Sequence, residues 1–252
     1  MLLKKLFIFF TFLPCLLFAQ PDLESIDQLQ FEADFMKQTE LEMVREINLV
    51  RANPREYLQF VMPYVEQARK NYQDGKGEQS YTLITNYYNV EGKGRIERVD
   101  TVWFNPYEEE LKAVSTLIKK LKMMPSLNML EPHEGIYNAS KKHGDDIGSH
   151  DWILTHRGTD GSWPNDRIKE FAAEMQFGNE NLACKGPSAT AREIVIQLLI
   201  DSGIKGSRHR LNILNPQWTH VACYYGGFHN NQHNWIQSFG KVKSEQAKTG
   251  LP

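Results

Sequence analysis

The order of the periodic patterns along this chain is the feature that most constrains its fold. Apolar residues recur at helical spacing near Thr39, from Pro54 onward, and in the ranges 108–123, 133–147 and 189–201. Short apolar runs typical of strands follow in the ranges 219–225 and 234–239. A chain of helices first and strands later predicts an α+β fold or a three-layer α-β-α sandwich.

One segment interrupts the helical part of the chain. The turn signals Asp74-Gly75 and Gly92-Lys93-Gly94 flank two runs, 81–90 and 95–104, that are rich in β-branched and aromatic residues. These patterns predict a hairpin-like insertion at about residues 73–104. A disordered segment is the alternative.

The N-terminus predicts export. Lys4 and Lys5 precede an apolar run over residues 6–18, which ends at Ala19-Gln20. Such a run is short for a membrane-spanning helix, so we expect a signal peptide over residues 1–19, with an uncleaved anchor as the alternative. The mature protein is then expected to be secreted or periplasmic and to lack a membrane span.

Charge and cysteine content narrow the function further. The net charge of −2 argues against a nucleic-acid partner, because such proteins carry a strong basic patch. Cys184 and Cys223 would remain after removal of the signal peptide. In an exported protein they are candidates for a disulfide, and two free thiols are the alternative.

Two histidines and two acids stand out as candidate site residues: His156, Glu180, Asp201 and His209. Neutral imidazole and carboxylate oxygens bind zinc and related divalent ions, and together they also form general acid–base pairs. Their spacing alone is weak support for a shared site. His143 lies on the apolar face of a predicted helix, so we expect it in the core.

The arginines beside His209 have two interpretations. Arg208 and Arg210 could bind an anionic ligand near the site, or they could form ion pairs with acids of the same domain. We favour the second interpretation.

Five segments, in chain order, resemble motifs of the CAP superfamily of cysteine-rich secretory, antigen 5 and pathogenesis-related proteins. The match is to bacterial members with an SCP-like domain. The segments are 46–54 (EINLVRANP), 156–162 (HRGTDGS), 178–183 (GNENLA), 209–216 (HRLNILNP) and 235–240 (WIQSFG). The resemblance places a CAP domain at residues 39–240, preceded by a linker over 20–38 and followed by a polar tail over 241–252.

The resemblance implies an α-β-α sandwich with a wide central cleft that holds two histidines and two acids. His156, Glu180 and His209 match the motif positions directly. Asp201 lies where many relatives have a glutamate, whereas Glu193, two helical turns earlier, is expected to face solvent.

The expected function is therefore that of a secreted CAP domain whose cleft binds a ligand or a divalent metal, with no assigned reaction. His156 and His209 are the candidate metal ligands, zinc being one candidate ion. Glu180 or Asp201 would orient a histidine or accept a proton. A small molecule, a lipid or a protein could be the ligand.

Three alternatives stay open. The first is a metal-assisted hydrolase that uses His156, His209 and Glu180. The second is a non-catalytic interaction module with the insertion at 73–104 as its contact surface. The third is a metal-free hydrogen-bonded network in which each histidine is satisfied by one carboxylate.

Overall fold

A computed structural model describes most of the chain, and its described residues are 33–90, 94–150, 154–227 and 231–243. The predicted signal peptide, most of the linker and most of the polar tail lie outside these ranges. No helix within the described ranges is both long enough and apolar enough to cross a lipid bilayer.

The described residues form an α+β fold, as predicted. The helices are α1 (Gln38–Ala52), α2 (Leu58–Asp74), α3 (Pro106–Met123), α4 (Glu134–Ser149), α5 (Pro164–Phe171), α6 (Ala191–Ile200) and α7 (Arg208–Ile213). The strands are β1 (Ser80–Val90), β2 (Gly94–Phe104), β3 (Glu131–Pro132), β4 (Met175–Lys185), β5 (His220–Gly227) and β6 (His233–Val242).

The main sheet has the strand order β3-β5-β6-β4, with β3 parallel to β5 and the other pairs antiparallel. Helices cover both faces. Ser238 of β6 accepts a hydrogen bond from Ser140 of α4 at 2.8 Å, whereas Asn181 of β4, which lies opposite Gln237, bonds to α7. Because neighbouring residues of a strand point to opposite faces, the sheet is the middle of three layers.

Local side-chain bonds set where the helices begin. The spacing of Thr39 and Glu42 predicts a capping box that begins at Thr39, and this prediction is wrong. Glu40 instead accepts a hydrogen bond from the backbone N–H of Lys37 at 2.6 Å, one residue before α1. Asn105 caps α3 by accepting from the backbone of Tyr107 and Glu108, so that helix begins earlier than the predicted range.

The hairpin predicted between residues 73 and 104 is confirmed, since β1 and β2 pair in an unbroken antiparallel register. Its base is held by the ends of two helices. The Asn105 side chain donates to the carbonyl of Gly75 at 3.2 Å, and Gly75 packs on the ring of Tyr107. A Cβ at position 75 would clash with that ring, so a larger residue there would displace Tyr107.

Strand β4 was missing from the sequence-based prediction, although it carries one of the site residues. Its sequence MQFGNENLACK contains Gly, two Asn and Glu, which are depleted in strands. Pairing with β6 and burial of residues 180–183 between two helical layers stabilise it instead. The short helices α5 and α7 were also not predicted.

The predicted disulfide is wrong, because Cys184 and Cys223 are both free thiols. They lie on β4 and β5, and β6 runs between those strands. Cys184 is opposite Asn234 and Cys223 is opposite Gln237, so the two thiols point to opposite faces of the sheet. Two strand spacings exceed the reach of a disulfide.

Candidate functional site

The four predicted site residues form two acid–histidine pairs. In the first pair, Nδ1 of His156 lies 3.1 Å from Oε1 of Glu180. In the second pair, Nδ1 of His209 lies 2.7 Å from Oδ1 of Asp201. Both carboxylates are buried, with side chains 2% and 1% exposed respectively.

Glu180 is surrounded by side chains from other segments. Its Oε2 accepts a hydrogen bond at 2.9 Å from Nη2 of Arg167, which lies on α5 and is also buried. Arg167 donates further to the carbonyl oxygens of Ser162 and His156. This charged pair therefore joins β4, α5 and the segment that carries His156.

His143 is a member of this cluster that sequence analysis did not assign to the site. It is fully buried, as expected for a core residue, but its Nε2 lies 2.7 Å from the carbonyl oxygen of Thr155 and 3.4 Å from Oε1 of Glu180. Both neighbours are acceptors, so Nε2 carries the proton. Burial lowers the pKa of His143, which favours the neutral ring.

No sequence signal could have identified this contact. His143 belongs to α4, Thr155 to the following segment and Glu180 to a strand that the sequence-based prediction missed. The only pattern around His143 was the helical period, and that pattern predicts burial without naming a neighbour.

Asp201 is held in a different way. It ends α6 in the left-handed conformation, with φ 57°, which aspartate tolerates better than most residues. Its Oδ2 accepts hydrogen bonds from the backbone N–H groups of His209 at 2.9 Å and Arg210 at 3.4 Å. These groups belong to the first turn of α7, whose own N-cap, Ser207, makes no side-chain bond. Asp201 therefore caps α7 from a distance.

In each pair, Nε2 of the histidine is left without a hydrogen bond to the carboxylate. A carboxylate only accepts hydrogen bonds, so Nδ1 carries the proton in both neutral histidines and Nε2 keeps its lone pair. In the described part of the chain neither Nε2 has a hydrogen-bond partner. The side chains of His156 and His209 are 43% and 19% exposed, so these lone pairs are accessible for a cation or a proton.

The two pairs flank the edge strand β4. Glu180 and its neighbour Asn181 point to opposite faces of the sheet. Nδ2 of Asn212 on α7 links the two positions, since it donates to Oδ1 of Asn181 at 2.8 Å and to the carbonyl oxygen of Glu180 at 3.3 Å. Among the described residues, no hydrogen bond or ion pair runs directly from His156 or Glu180 to His209 or Asp201.

A cavity of about 460 Å³ lies beside the second pair. His209 and Asp201 line it together with both apolar and charged side chains, among them Leu182, Leu198, Glu110 and Glu193. His156 and Glu180 are not among its lining residues. The structure thus brings each histidine to its acid, but it does not place all four residues in one cavity.

Few protein ligands are available for a metal ion at this site. In the parts of the chain that the structure describes, no group of three or more histidine, cysteine, aspartate or glutamate side chains is arranged to hold an ion. A cation at this site would have at most the imidazole nitrogens of His156 and His209 as ligands from these four residues, with water in its other positions.

Among the described residues, neither Arg208 nor Arg210 forms an ion pair with an acid, contrary to the interpretation that we favoured. Arg210 is buried and donates to the carbonyl oxygens of Leu199, Ile200 and Ala113. These bonds hold α7 against the end of α6 and the middle of α3. Burial lowers the pKa of Arg210, and its donors are occupied by these carbonyls and by the hydroxyl of Thr116, so it is not available to a ligand.

Glu193 is exposed, as expected. It belongs to the capping box of α6, where it accepts hydrogen bonds from the backbone and hydroxyl of Thr190. It takes no part in either acid–histidine pair.

Comparison with known proteins leaves the family open. No family model and no curated protein matches this chain. It is similar to an outer surface protein from Borrelia burgdorferi, with 23% identity and a TM-score of 0.40 over 54% of this chain and 95% of that one. It is also similar to an extracellular protein containing an SCP domain from Bacillus anthracis, with 14% identity and a TM-score of 0.36 over 69% of this chain and 71% of that one. Similarities this low do not assign the family.

Proposed function

We propose that this chain is an extracellular CAP-like domain that binds a ligand through Nε2 of His156 and Nε2 of His209. A divalent cation such as zinc is the ligand that best fits these atoms. Five CAP-like segments in family order and the three-layer α+β architecture support the proposal. The predicted signal peptide supports an extracellular or periplasmic location.

One observation carries the ligand assignment. Both histidines use Nδ1–H to bond a buried carboxylate, at 3.1 Å for His156 and 2.7 Å for His209. Metal-binding histidines commonly have this arrangement, because the carboxylate fixes the ring and leaves the other nitrogen unprotonated. Glu180 and Asp201 then orient the ligands without binding the ion themselves.

The ligand count sets the kind of site. Structural zinc sites have four protein ligands and catalytic sites have three, whereas this proposal supplies two imidazoles. We therefore expect weak, exchangeable binding with water in the remaining positions. Binding should also weaken in acid, because a protonated imidazole has no free lone pair.

The position of Glu180 favours binding over hydrolysis. A general base must reach the water that it activates. Glu180 is 3% exposed, and its oxygens are already engaged by His156 and Arg167. We propose that it orients His156 and does not act as the proton acceptor of a metal-assisted hydrolase.

The test is a zinc titration of the purified mature protein by isothermal calorimetry. Two variants, His156→Ala and His209→Ala, each remove one proposed ligand. His150→Ala is the matched control, because His150 is exposed and, among the described residues, its ring contacts Ser149 and Asp146 of its own helix.

We expect one zinc ion per chain and an affinity at least ten-fold lower in each ligand variant, with the control unchanged. The absence of zinc binding by the unmodified protein would contradict the proposal. So would equal affinity in the unmodified protein and both ligand variants.

A further inference from the structure

A cavity of about 520 Å³, separate from the one beside His209, is formed by α4, α5 and residues 158–162. Its lining is polar. Aspartate, serine, threonine, lysine, arginine and histidine side chains line it together with one glycine, and no aliphatic side chain is among them. The volume suits a small organic ligand, and the lining suits a ligand that is polar throughout.

Three side-chain oxygens converge beside Gly158 in this cavity. A Cβ at that glycine would lie 2.8 Å from Oδ1 of Asp160, 3.0 Å from Oγ of Ser162 and 3.4 Å from Oδ2 of Asp146. Because Gly158 has no side chain, the three oxygens face one another across a space about the size of a methyl group. Two of them belong to carboxylates, so the space favours a group that donates hydrogen bonds and carries positive charge.

His143 supplies an independent sign of a ligand. Its side chain is fully buried and lines the cavity, and Nδ1 has no hydrogen-bond partner among the described residues. Since Nε2 carries the proton, Nδ1 is an acceptor. The two ring nitrogens point in nearly opposite directions, so Nδ1 is turned away from Thr155 and Glu180. Buried acceptors in folded proteins generally have a donor, and a molecule in this cavity would supply one.

The charges of the lining favour a cation. Three carboxylates and two basic side chains line the cavity. One of the basic side chains, Arg167, is already paired with Glu180. The other, Lys142, lies 2.8 Å from Glu170, an acid outside the lining, and 3.1 Å from Asp160. The charge that remains is negative and attracts a cationic ligand.

We propose that this cavity binds a small polar ligand that carries a primary ammonium group and hydroxyl groups. The ammonium group has three donors and no acceptor, and it donates to the carboxylates of Asp146 and Asp160. A further donor of the ligand bonds Nδ1 of His143. Among the described residues, no three histidine, cysteine, aspartate or glutamate side chains are arranged to hold a metal ion, which favours an organic cation. This site does not depend on the ligand site proposed above.

The test is a titration of nitrogen-15-labelled mature protein with serinol, a three-carbon amino diol, in metal-free buffer at neutral pH. Glycerol is the matched control compound, because it has a hydroxyl group where serinol has the ammonium group. The signals to follow are the backbone amides of Thr159 and Ser162. They donate to Asp146 at 2.8 Å and to Asp160 at 2.9 Å, so they report directly on the two carboxylates.

Two variants change the cavity in different ways. Gly158→Ala places a methyl group among the three oxygens without changing any charge. Its control is Gly186→Ala, because a Cβ at Gly186 has no atom within 4 Å. Asp160→Asn removes one negative charge and keeps an acceptor. Its control is Asp74→Asn, at an exposed position at the end of α2.

We expect saturable shifts of both amides, with an affinity in roughly the millimolar range, and no saturable shift with glycerol. The affinity should be at least ten-fold lower in Gly158→Ala and Asp160→Asn and unchanged in both controls. Equal binding of glycerol and serinol would overturn the proposal, as would the absence of serinol binding or unchanged binding in Asp160→Asn.

Calcium ions that shift the same two amides at lower concentrations than serinol does would also overturn the proposal, because they would assign the cavity to a metal ion. Zinc affinity should be the same in Asp160→Asn and in the unmodified protein. That measurement separates a failure of this proposal from a failure of the proposed zinc site at His156 and His209.

Discussion

Glu180 and Asp201 each orient one histidine, but the protein holds the two carboxylates by different means. Arg167 and His143, which lie on two different helices, surround Glu180 with side-chain donors. Asp201 instead accepts from backbone N–H groups in the first turn of α7, beside the histidine that it orients. The first arrangement depends on packing between distant segments, and the second depends on one helix end.

This difference predicts how each pair responds to substitution. A buried ion pair becomes very unfavourable when one partner is removed, because the other charge stays buried without compensation. A helix cap loses a hydrogen bond to backbone that water can partly replace. The Glu180 pair should therefore be more sensitive to substitution than the Asp201 pair.

The largest effect is expected from Arg167→Met. It leaves Glu180 buried without its charged partner, and we expect a loss of about 3–5 kcal/mol in the free energy of unfolding. Urea denaturation followed by circular dichroism measures the loss. Lys169→Met, on an exposed position of the same helix, should cost little. A loss below about 1 kcal/mol in Arg167→Met would show that this ion pair does not stabilise the fold.

Removal of the Asp201 carboxylate is expected to lower the free energy of unfolding by a smaller amount. Asp201→Ala removes the cap of α7, for which we expect a loss of about 1–2 kcal/mol by the same denaturation assay. Asp201→Asn keeps an acceptor and tolerates the left-handed backbone, so its loss should be smaller. A cost for Asp201→Ala equal to that of Arg167→Met would remove the distinction between the two pairs.

Asn212 offers a way to test the link between the pairs. Asn212→Ala removes the bonds to Asn181 and to the backbone of Glu180, with an expected loss of about 1 kcal/mol. Leu211→Ala, at an exposed position of the same helix, is the control for helix propensity. If Asn212→Ala also lowers zinc affinity, the two pairs act as one site. An unchanged affinity would mean that Asn212 contributes to stability only.

The smallest expected effect is a pH dependence of stability that arises from His143, next to the first pair. Burial lowers the pKa of His143 in the folded protein below the value of about 6.5 expected for the unfolded chain. The unfolded state therefore binds more protons below that pH, and stability falls as the pH drops through it. His143→Gln should reduce this slope, measured as unfolding midpoints between neutral and mildly acidic pH.

Burial also lowers the pKa of His220, the first residue of β5. It therefore adds a slope of the same sign, and His220→Gln serves as the reference for the size of one such contribution. An unchanged slope in His143→Gln would contradict the neutral, buried state assigned to His143.

Local patterns predicted much of the fold. The helical periods indicated α1, α3, α4 and α6, and the turn signals indicated the β1–β2 hairpin, because these features depend on neighbouring residues. Strand β4 could not be predicted in this way. Its polar residues are accommodated by pairing with β6 and by packing from both helical layers, which no local pattern records.

The site was predicted in part. Glu180 with His156 and Asp201 with His209 are the pairs that the structure forms, but the residues were selected by family resemblance and not by their spacing. The contact of His143 with Glu180 depends on three segments that meet only in the folded chain. The disulfide prediction failed for the same reason. The strand order separates the two thiols, and sequence spacing does not reveal the strand order.

The protonation of the two histidine rings is the most direct test of whether Glu180 and Asp201 orient His156 and His209 toward a ligand. Long-range proton–nitrogen correlation spectra of uniformly nitrogen-15-labelled protein at neutral pH distinguish Nδ1–H from Nε2–H tautomers. We expect Nδ1–H with unprotonated Nε2 for His156 and His209, and a shift of both Nε2 resonances on addition of zinc. An Nε2–H tautomer in both rings would contradict the claim that Glu180 and Asp201 orient these histidines toward a ligand.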